Sequence, residues 1–129
     1  MQHNISNLAI IVNDYDEAIE FYTKKLNFEL KANIANDDGH RWVQLAPSNA
    51  TGCNLIFNQA ATDEDRLVIG KQAGSQVLAI LETDDFWRDY ETMQNNGVEF
   101  TESPREEEYG TVVIFKDLYG NKWDLIEIK

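Results

Sequence analysis

The sequence predicts an α+β fold built from two tandem βαβββ modules. The first observation is an internal repeat, in which residues 8–58 align without a gap on residues 78–128. The tripeptide Leu-Ala-Ile at 8–10, for example, returns at 78–80. The second observation is that apolar positions match apolar ones through strand-like and helix-like stretches of both halves, which chance alignment seldom achieves. A duplicated module explains both observations, and such pairs tend to leave a groove at their junction.

Length and composition indicate one domain spanning residues 1–129, long enough to bury roughly two-thirds of the surface that its unfolded chain would expose. Within it we expect modules at 5–58 and 75–128. They are joined by a polar linker at 59–74, with a helical turn near Asp63–Ile69.

Charge and cysteine content limit the partners and the compartment. The formal net charge of -12 repels phosphate backbones and anionic lipid, so neither nucleic acid nor a membrane is expected as a partner. The single cysteine excludes an internal disulfide, and the sequence shows neither a signal peptide nor a long apolar run. A cytoplasmic location is the simplest expectation.

The first module begins with a mostly apolar run, Ser6–Val12, that is typical of a buried strand. Asp14 then stands where a helix cap is expected, with Glu17 three residues later as its capping-box partner. The apolar residues that follow recur at helical spacing and predict a helix over Tyr15–Lys25.

Three further strands complete this module, separated by two segments rich in turn-forming residues. The strands are predicted at Phe28–Asn33, His40–Ala46 and Cys53–Asn58, and the turns at Asn36–Gly39 and Pro47–Gly52.

The second module repeats this order. A strand is predicted over Gln76–Glu82, a cap at Thr83 or Asp84, and a helix that runs to Asn96 and stops at Gly97. The remaining strands are predicted at Val98–Thr101, Thr111–Lys116 and Lys122–Ile128.

Three segments carry a family resemblance that spans the whole chain. Asn7–Tyr22 with Leu26–Glu29, the aromatic-Gly pair within Glu108–Gly110, and Asp117–Glu127 resemble, in order, signatures of the vicinal oxygen chelate superfamily. This is the group of glyoxalases, bleomycin resistance proteins and extradiol dioxygenases. The resemblance implies a cup-shaped, partly closed mixed sheet with helices outside, often a divalent metal in the cavity, and commonly a homodimer.

The metal positions that the resemblance implies are largely vacated. Metal-dependent members use a His in the first strand, a Glu in the fourth, a His or Gln that begins the second module, and a Glu in the last strand. The matching positions here are Asn7, Asn54, Val77 or Leu78, and Asp124. Gln76 supplies a ligand only if the alignment slips, and amide oxygens are weak ligands. We therefore expect no metal and no other cofactor, with zinc, nickel, manganese or iron as the less favoured alternative.

Strand alternation suggests what those positions do instead. If Trp123 and Leu125 face the helices, Asp124 points into the cup, where Asn54 and Asn7 are expected beside it. Three short polar groups on a concave apolar surface can fix a small ligand by hydrogen bonds. The alternative is that they satisfy one another or ordered water.

The same alternation in the third strand directs Trp42 and Gln44 into the cup. Trp42 offers an apolar wall with one N–H donor, unless it lies in the core. Tyr109 offers a phenolic donor at the strand entrance, and Arg41 or Arg105 either clamps a carboxylate or neutralises neighbouring acids. The run of glutamates at 106–108 is expected to be a solvated loop, whose last member, Glu108, reaches the pocket mouth.

Other arrangements of catalytic residues are less favoured. His3 lies in a fraying terminus and His40 in a turn, and Cys53 is expected to be buried on the helix-facing side of its strand. The sequence contains no glycine-rich phosphate loop. Asp124 remains a candidate general base, because burial would raise its pKa.

Three functions of different class remain open. The favoured one is a metal-free protein of the bleomycin-resistance kind that binds a small organic molecule. The second is an enzyme, either a lactoylglutathione-lyase-like or dioxygenase-type protein with an atypical metal set, or an acid/base catalyst that uses Asp124. In the third, the cavity is vestigial and the protein serves a protein partner.

Overall fold

The computed structural model describes residues 1–48 and 51–129, and the chain forms two units, residues 1–69 and 70–129. The first unit is built on a four-stranded mixed sheet of order β1-β4-β3-β2. β1 runs parallel to β4, and the other pairs are antiparallel. The strands are β1 (Asn7–Val12), β2 (Phe28–Ala35), β3 (Arg41–Pro47) and β4 (Asn54–Gln59).

One face of this sheet packs with the helix that follows β1. Helix α1 (Tyr15–Glu20) continues as a π-helical segment, Phe21–Lys25. The predicted cap is confirmed, because the Asp14 carboxylate accepts a hydrogen bond from the Glu17 amide at 3.0 Å. The buried residues of this unit are apolar and include Ile10, Val12, Ala18, Tyr22, Val43, Leu45, Leu55 and Phe57.

The second unit carries a five-stranded sheet of order β5-β9-β8-β6, with β7 also paired to β8. Its elements are β5 (Ala79–Glu82), α3 (Phe86–Asn95), β6 (Glu99–Phe100), β7 (Arg105–Glu107), β8 (Gly110–Lys116) and β9 (Lys122–Ile128). The predicted α+β class is confirmed, with a mixed sheet in each unit. Among the described residues, no helix is long and apolar enough to cross a membrane.

Several local predictions need correction. The α3 cap is neither Thr83 nor Asp84 but Asp85, whose carboxylate accepts from the Arg88 amide at 3.2 Å. Cys53 precedes β4 and is only half-buried, so its predicted burial in a strand is wrong.

The run of glutamates at 106–108 does not form the solvated loop that the sequence predicted. Its first part forms β7, which pairs with β8 through a tight turn at residues 108–109. Backbone pairing there overrides the low strand propensity of glutamate. In the linker, a short helix, α2 (Asp63–Val68), confirms the expected helical turn. The predicted turn Pro47–Gly52 includes positions 49 and 50, which lie outside the described residues.

The strand register also corrects the alignment between the two halves of the sequence. In the first unit Leu55 lies opposite both Leu8 and Leu45, and in the second Trp123 lies opposite both Ala79 and Phe115. The helix caps Asp14 and Asp85 follow β1 and β5 and are 71 positions apart, so Leu8 corresponds to Ala79. Their partners then match Leu55 to Trp123 and Leu45 to Phe115, at offsets of 68 and 70 positions.

The ungapped alignment therefore fails at both strands of the parallel pair, which are β1 and β4 in the first unit, although it holds for β3 and β8. In consequence Asp124 corresponds to Ile56 rather than to Asn54, and Asn7 corresponds to Leu78 rather than to Val77.

Gly70 makes a close backbone approach that no other residue type allows. It has a φ of 76°, and a Cβ atom there would lie 2.0 Å from the backbone oxygen of Tyr119. Gly74 has a similar φ of 67° but open space around its Cα. Both glycines therefore favour a left-handed backbone, and only Gly70 also has a contact that excludes a side chain.

We expect Gly70→Ala to lower the free energy of unfolding by more than Gly74→Ala does. Gly74→Ala should cost about 1 kcal/mol, because only left-handed strain is added. Gly70→Ala should cost about 3 kcal/mol, since the turn at Tyr119 must also move. Urea unfolding of both variants measures this difference, and equal costs would contradict the close approach.

Candidate functional site

Four of the predicted ligand-binding residues share one face of the first sheet. Trp42 and Gln44 alternate with buried residues along β3, so their side chains lie on the face opposite the core. Asn7 and Asn54 lie directly opposite each other in the β1–β4 pair. We call this set the open face of the first unit. The predicted alternation in β3 is confirmed.

Hydrogen bonds connect three side chains on and beside this face. The Nε2 atom of Gln44 donates to Oδ1 of Asn7 at 2.8 Å, and Nδ2 of Asn7 donates to Oγ of Ser6 at 3.2 Å. Asn54 forms no side-chain hydrogen bond to any described residue. The side chains of Gln44 and Asn7 thus partly satisfy each other's hydrogen-bonding groups, which is one of the two alternatives that the sequence left open. The amides of this face still present polar atoms for a ligand.

Trp42 supplies an exposed apolar surface beside these amides. Its side chain is 41% exposed, so the alternative that it lies in the core is wrong. Its neighbour across the β2–β3 pair is Ile34, which is 59% exposed. An aromatic and an aliphatic side chain next to hydrogen-bonding amides form a surface suited to an organic molecule.

Arg41 does not act as a clamp on this face. Its Nη2 atom lies 2.9 Å from a carboxylate oxygen of Asp16, and its Nε donates to Oδ1 of Asn33 at 3.1 Å. The guanidinium also lies over the Tyr15 ring, 5.0 Å from its centroid. The arginine is therefore paired within its own unit, which is the neutralising role.

In the second unit, Asp124 lies between two isoleucines. Ile80 is opposite it on β5, and Ile114 is opposite it on β8. Desolvation in this half-buried position raises the pKa of the Asp124 carboxyl, against a smaller lowering effect of the Arg105 charge. The pKa of the Asp124 carboxyl is therefore raised by burial, as the sequence predicted.

Arg105 is held by Glu107, one of the neighbouring acids that the sequence offered as its partners, and by Glu102, which the sequence did not single out. Its Nε donates to both carboxylate oxygens of Glu102, at 3.0 and 3.1 Å, and its Nη1 donates to Glu107 at 2.9 Å. These bonds, with a further one to Tyr109, raise the pKa of the Arg105 guanidinium. Arg105 is thus already paired with acids close to it in the sequence, which is the neutralising role.

The two remaining predicted residues lie at the β7–β8 turn. Tyr109 is 53% exposed and contacts Arg105, and Glu108 is exposed beside it. These residues and Asp124 belong to the second unit, whereas the open face belongs to the first. A single cup that contains both sets stays a prediction.

Comparison with known proteins identifies the family. A family model for the glyoxalase/bleomycin resistance protein/dioxygenase superfamily matches residues 4–125. The chain belongs to this superfamily. A protein of Shewanella frigidimarina is 46% identical over 129 residues, covering 99% of this chain and 96% of its own.

Two solved structures are also similar. UcmS2 has a TM-score of 0.85 at 25% identity, with 98% of each chain covered. TnmS3, an antibiotic binding protein from Streptomyces sp. CB03234, has a TM-score of 0.80 at 26% identity, with 100% of this chain and 98% of that chain covered.

The residues at the family's metal positions do not fit a transition metal. Oδ1 of Asn7 already accepts from Gln44, and Leu78 has no donor atom. Asp124 is the one carboxylate of the set, whereas transition metals prefer several carboxylate, imidazole or thiolate ligands. Among the described residues, no group of three or more His, Cys, Asp and Glu side chains is arranged to hold a metal ion. A metal-free site stays a prediction.

We expect Asp124→Asn to stabilise the protein slightly at neutral pH. A carboxyl whose pKa is raised by folding opposes folding when it is ionised, so its cost appears as pH rises above the ordinary aspartate range. After allowance for solvent screening, the gain should be about 0.5 kcal/mol or less, and it should vanish at acidic pH, where both states are protonated. Thermal unfolding across pH measures it, with exposed Asp37→Asn as control. Destabilisation at neutral pH would show that attraction to Arg105 outweighs desolvation.

Proposed function

We propose that the protein binds a small organic molecule, as an antibiotic-binding member of its superfamily, without using a metal. The observation that carries the proposal is the open face, where exposed Trp42 stands next to the Gln44–Asn7 amide pair. The similarity to TnmS3, an antibiotic binding protein, supports the same class of function. Large apolar side chains with a few placed polar groups are the usual lining of small-molecule sites.

Removal of Trp42 tests this function. Trp42→Ala should weaken binding of the recognised compound about tenfold, because the aromatic surface that contacts it is lost. The measurement is isothermal titration calorimetry with a panel of natural-product antibiotics that includes bleomycin.

Trp87→Ala is the matched control, since Trp87 is 55% exposed but lies on helix α3. Equal effects of the two variants would contradict a site at Trp42. If no compound of the panel binds, the vestigial cavity with a protein partner becomes the better hypothesis.

An acid/base enzyme is the second candidate, and the position of Asp124 favours it. A carboxyl between Ile80 and Ile114 whose pKa is raised by burial has the properties of a general base at moderate pH. If the protein is a glyoxalase-type lyase, Asp124→Asn should reduce turnover about 100-fold or more in a glyoxalase assay. Asp37→Asn should leave turnover unchanged. Undiminished activity in Asp124→Asn would exclude this role.

A further inference from the structure

We propose that the molecule bound on the open face is an uncharged aromatic compound that donates a hydrogen bond to Oε1 of Gln44, as a fused-ring phenol does. This inference rests on the proposed function, because it names the ligand chemistry of the same site. Three features carry it: the direction of the side-chain hydrogen bonds, the spacing of Trp42 and Gln44, and the pairing of the nearby cations.

The hydrogen bonds on this face run in one direction. Gln44 donates to Asn7, and Asn7 donates to Ser6, so Gln44 is the first donor of the chain. Its Oε1 atom accepts no hydrogen bond from any described residue. A donating amide becomes more polarised, and its carbonyl oxygen becomes a better acceptor. The atom that Gln44 leaves for a ligand at the end of this chain is therefore the acceptor Oε1, and a ligand group that binds there must be a donor.

The spacing along β3 sets the shape of the ligand. Trp42 and Gln44 are two residues apart on the same face, which places their Cα atoms about 7 Å from each other. The residues opposite them on β2 are Ile34 and Ala32, and the small side chain of Ala32 leaves Gln44 accessible from that strand. A flat ring system can lie against Trp42 while its hydroxyl reaches Gln44.

Charge disfavours an anionic ligand on this surface. Within the four described strands of this sheet the cations are Lys31 and Arg41. Lys31 pairs with Glu29 at 3.0 Å, and Arg41 pairs with Asp16 at 2.9 Å. A carboxylate or phosphate on the ligand would break one of these pairs or stay unpaired, and the net charge of -12 would repel it as well.

Three naphthalene probes separate these properties. 2-Naphthol carries the donor, 2-methoxynaphthalene has the same rings without it, and 2-naphthoate carries a negative charge. Dissociation constants from ligand-observed NMR at neutral pH should show 2-naphthol binding about tenfold more tightly than 2-methoxynaphthalene, which corresponds to one hydrogen bond. 2-Naphthoate should bind most weakly.

Two variants assign the preference to Gln44. Gln44→Met removes the amide at similar length and should reduce the naphthol preference to about one, with little change for 2-methoxynaphthalene. Gln44→Glu loses the donor to Asn7 but keeps an acceptor oxygen, so the preference should remain. Gln94→Met, at an exposed position of helix α3, is the matched control and should behave as the natural protein does. Circular dichroism confirms that each variant is folded.

Several results would overturn this inference. Equal binding of 2-naphthol and 2-methoxynaphthalene that still depends on Trp42 would remove the donor requirement and leave the proposed function intact. Tightest binding of 2-naphthoate would show that one of the paired cations opens to an anion. Failure of all three probes would exclude a phenol site, and the antibiotic panel would then decide separately whether the proposed function also fails.

Discussion

The alternation of side chains across the two sheets is the constraint on which the rest of the structure depends. In β3, Val43 and Leu45 are fully buried, and this leaves Trp42 and Gln44 on the opposite face. A slip of one residue would exchange the two sets and place an amide in the core, where an unpaired polar group is costly. The burial that stabilises each sheet therefore also decides which residues can meet a ligand, and Asp124 is placed by the same rule.

One motif of the family resemblance has a structural role. Asp117 is only 6% exposed, and its Oδ1 accepts from the backbone amides of Tyr119 and Asn121 at 2.9 Å, while its Oδ2 accepts from Nδ2 of Asn121 at 2.9 Å. A buried carboxylate satisfied in this way holds the turn between β8 and β9. The register of that hairpin brings Ile114 opposite Asp124. The closing signature thus positions the last strand, and Asp124 within it.

In both units, the polar side chains at the candidate sites are largely paired with residues of the same unit. Arg41 and Arg105, which the sequence offered as clamps, are each bound to carboxylates of their own unit. In the first module, Asn7 stands where the family's metal-dependent members carry an imidazole ligand, and Ile56 is the counterpart of Asp124. These features together favour recognition of a neutral molecule by hydrogen bonds and apolar contact, rather than by ion pairing or metal coordination.

The sequence by itself determined the elements and their faces. Apolar periodicity located nearly every strand and both long helical stretches, the cap at Asp14 followed from local chemistry, and the alternation in β3 followed from a period of two. Only the tertiary structure decided the register of the parallel pairs, which makes Ile56 the counterpart of Asp124, and the ion pair of Arg41 with Asp16, which lies 25 positions away in the sequence. The physical reason is that faces and caps depend on residues a few positions apart. Register and ion-pair partners depend on backbone hydrogen bonds between distant segments, for which neighbouring residues give no local signal.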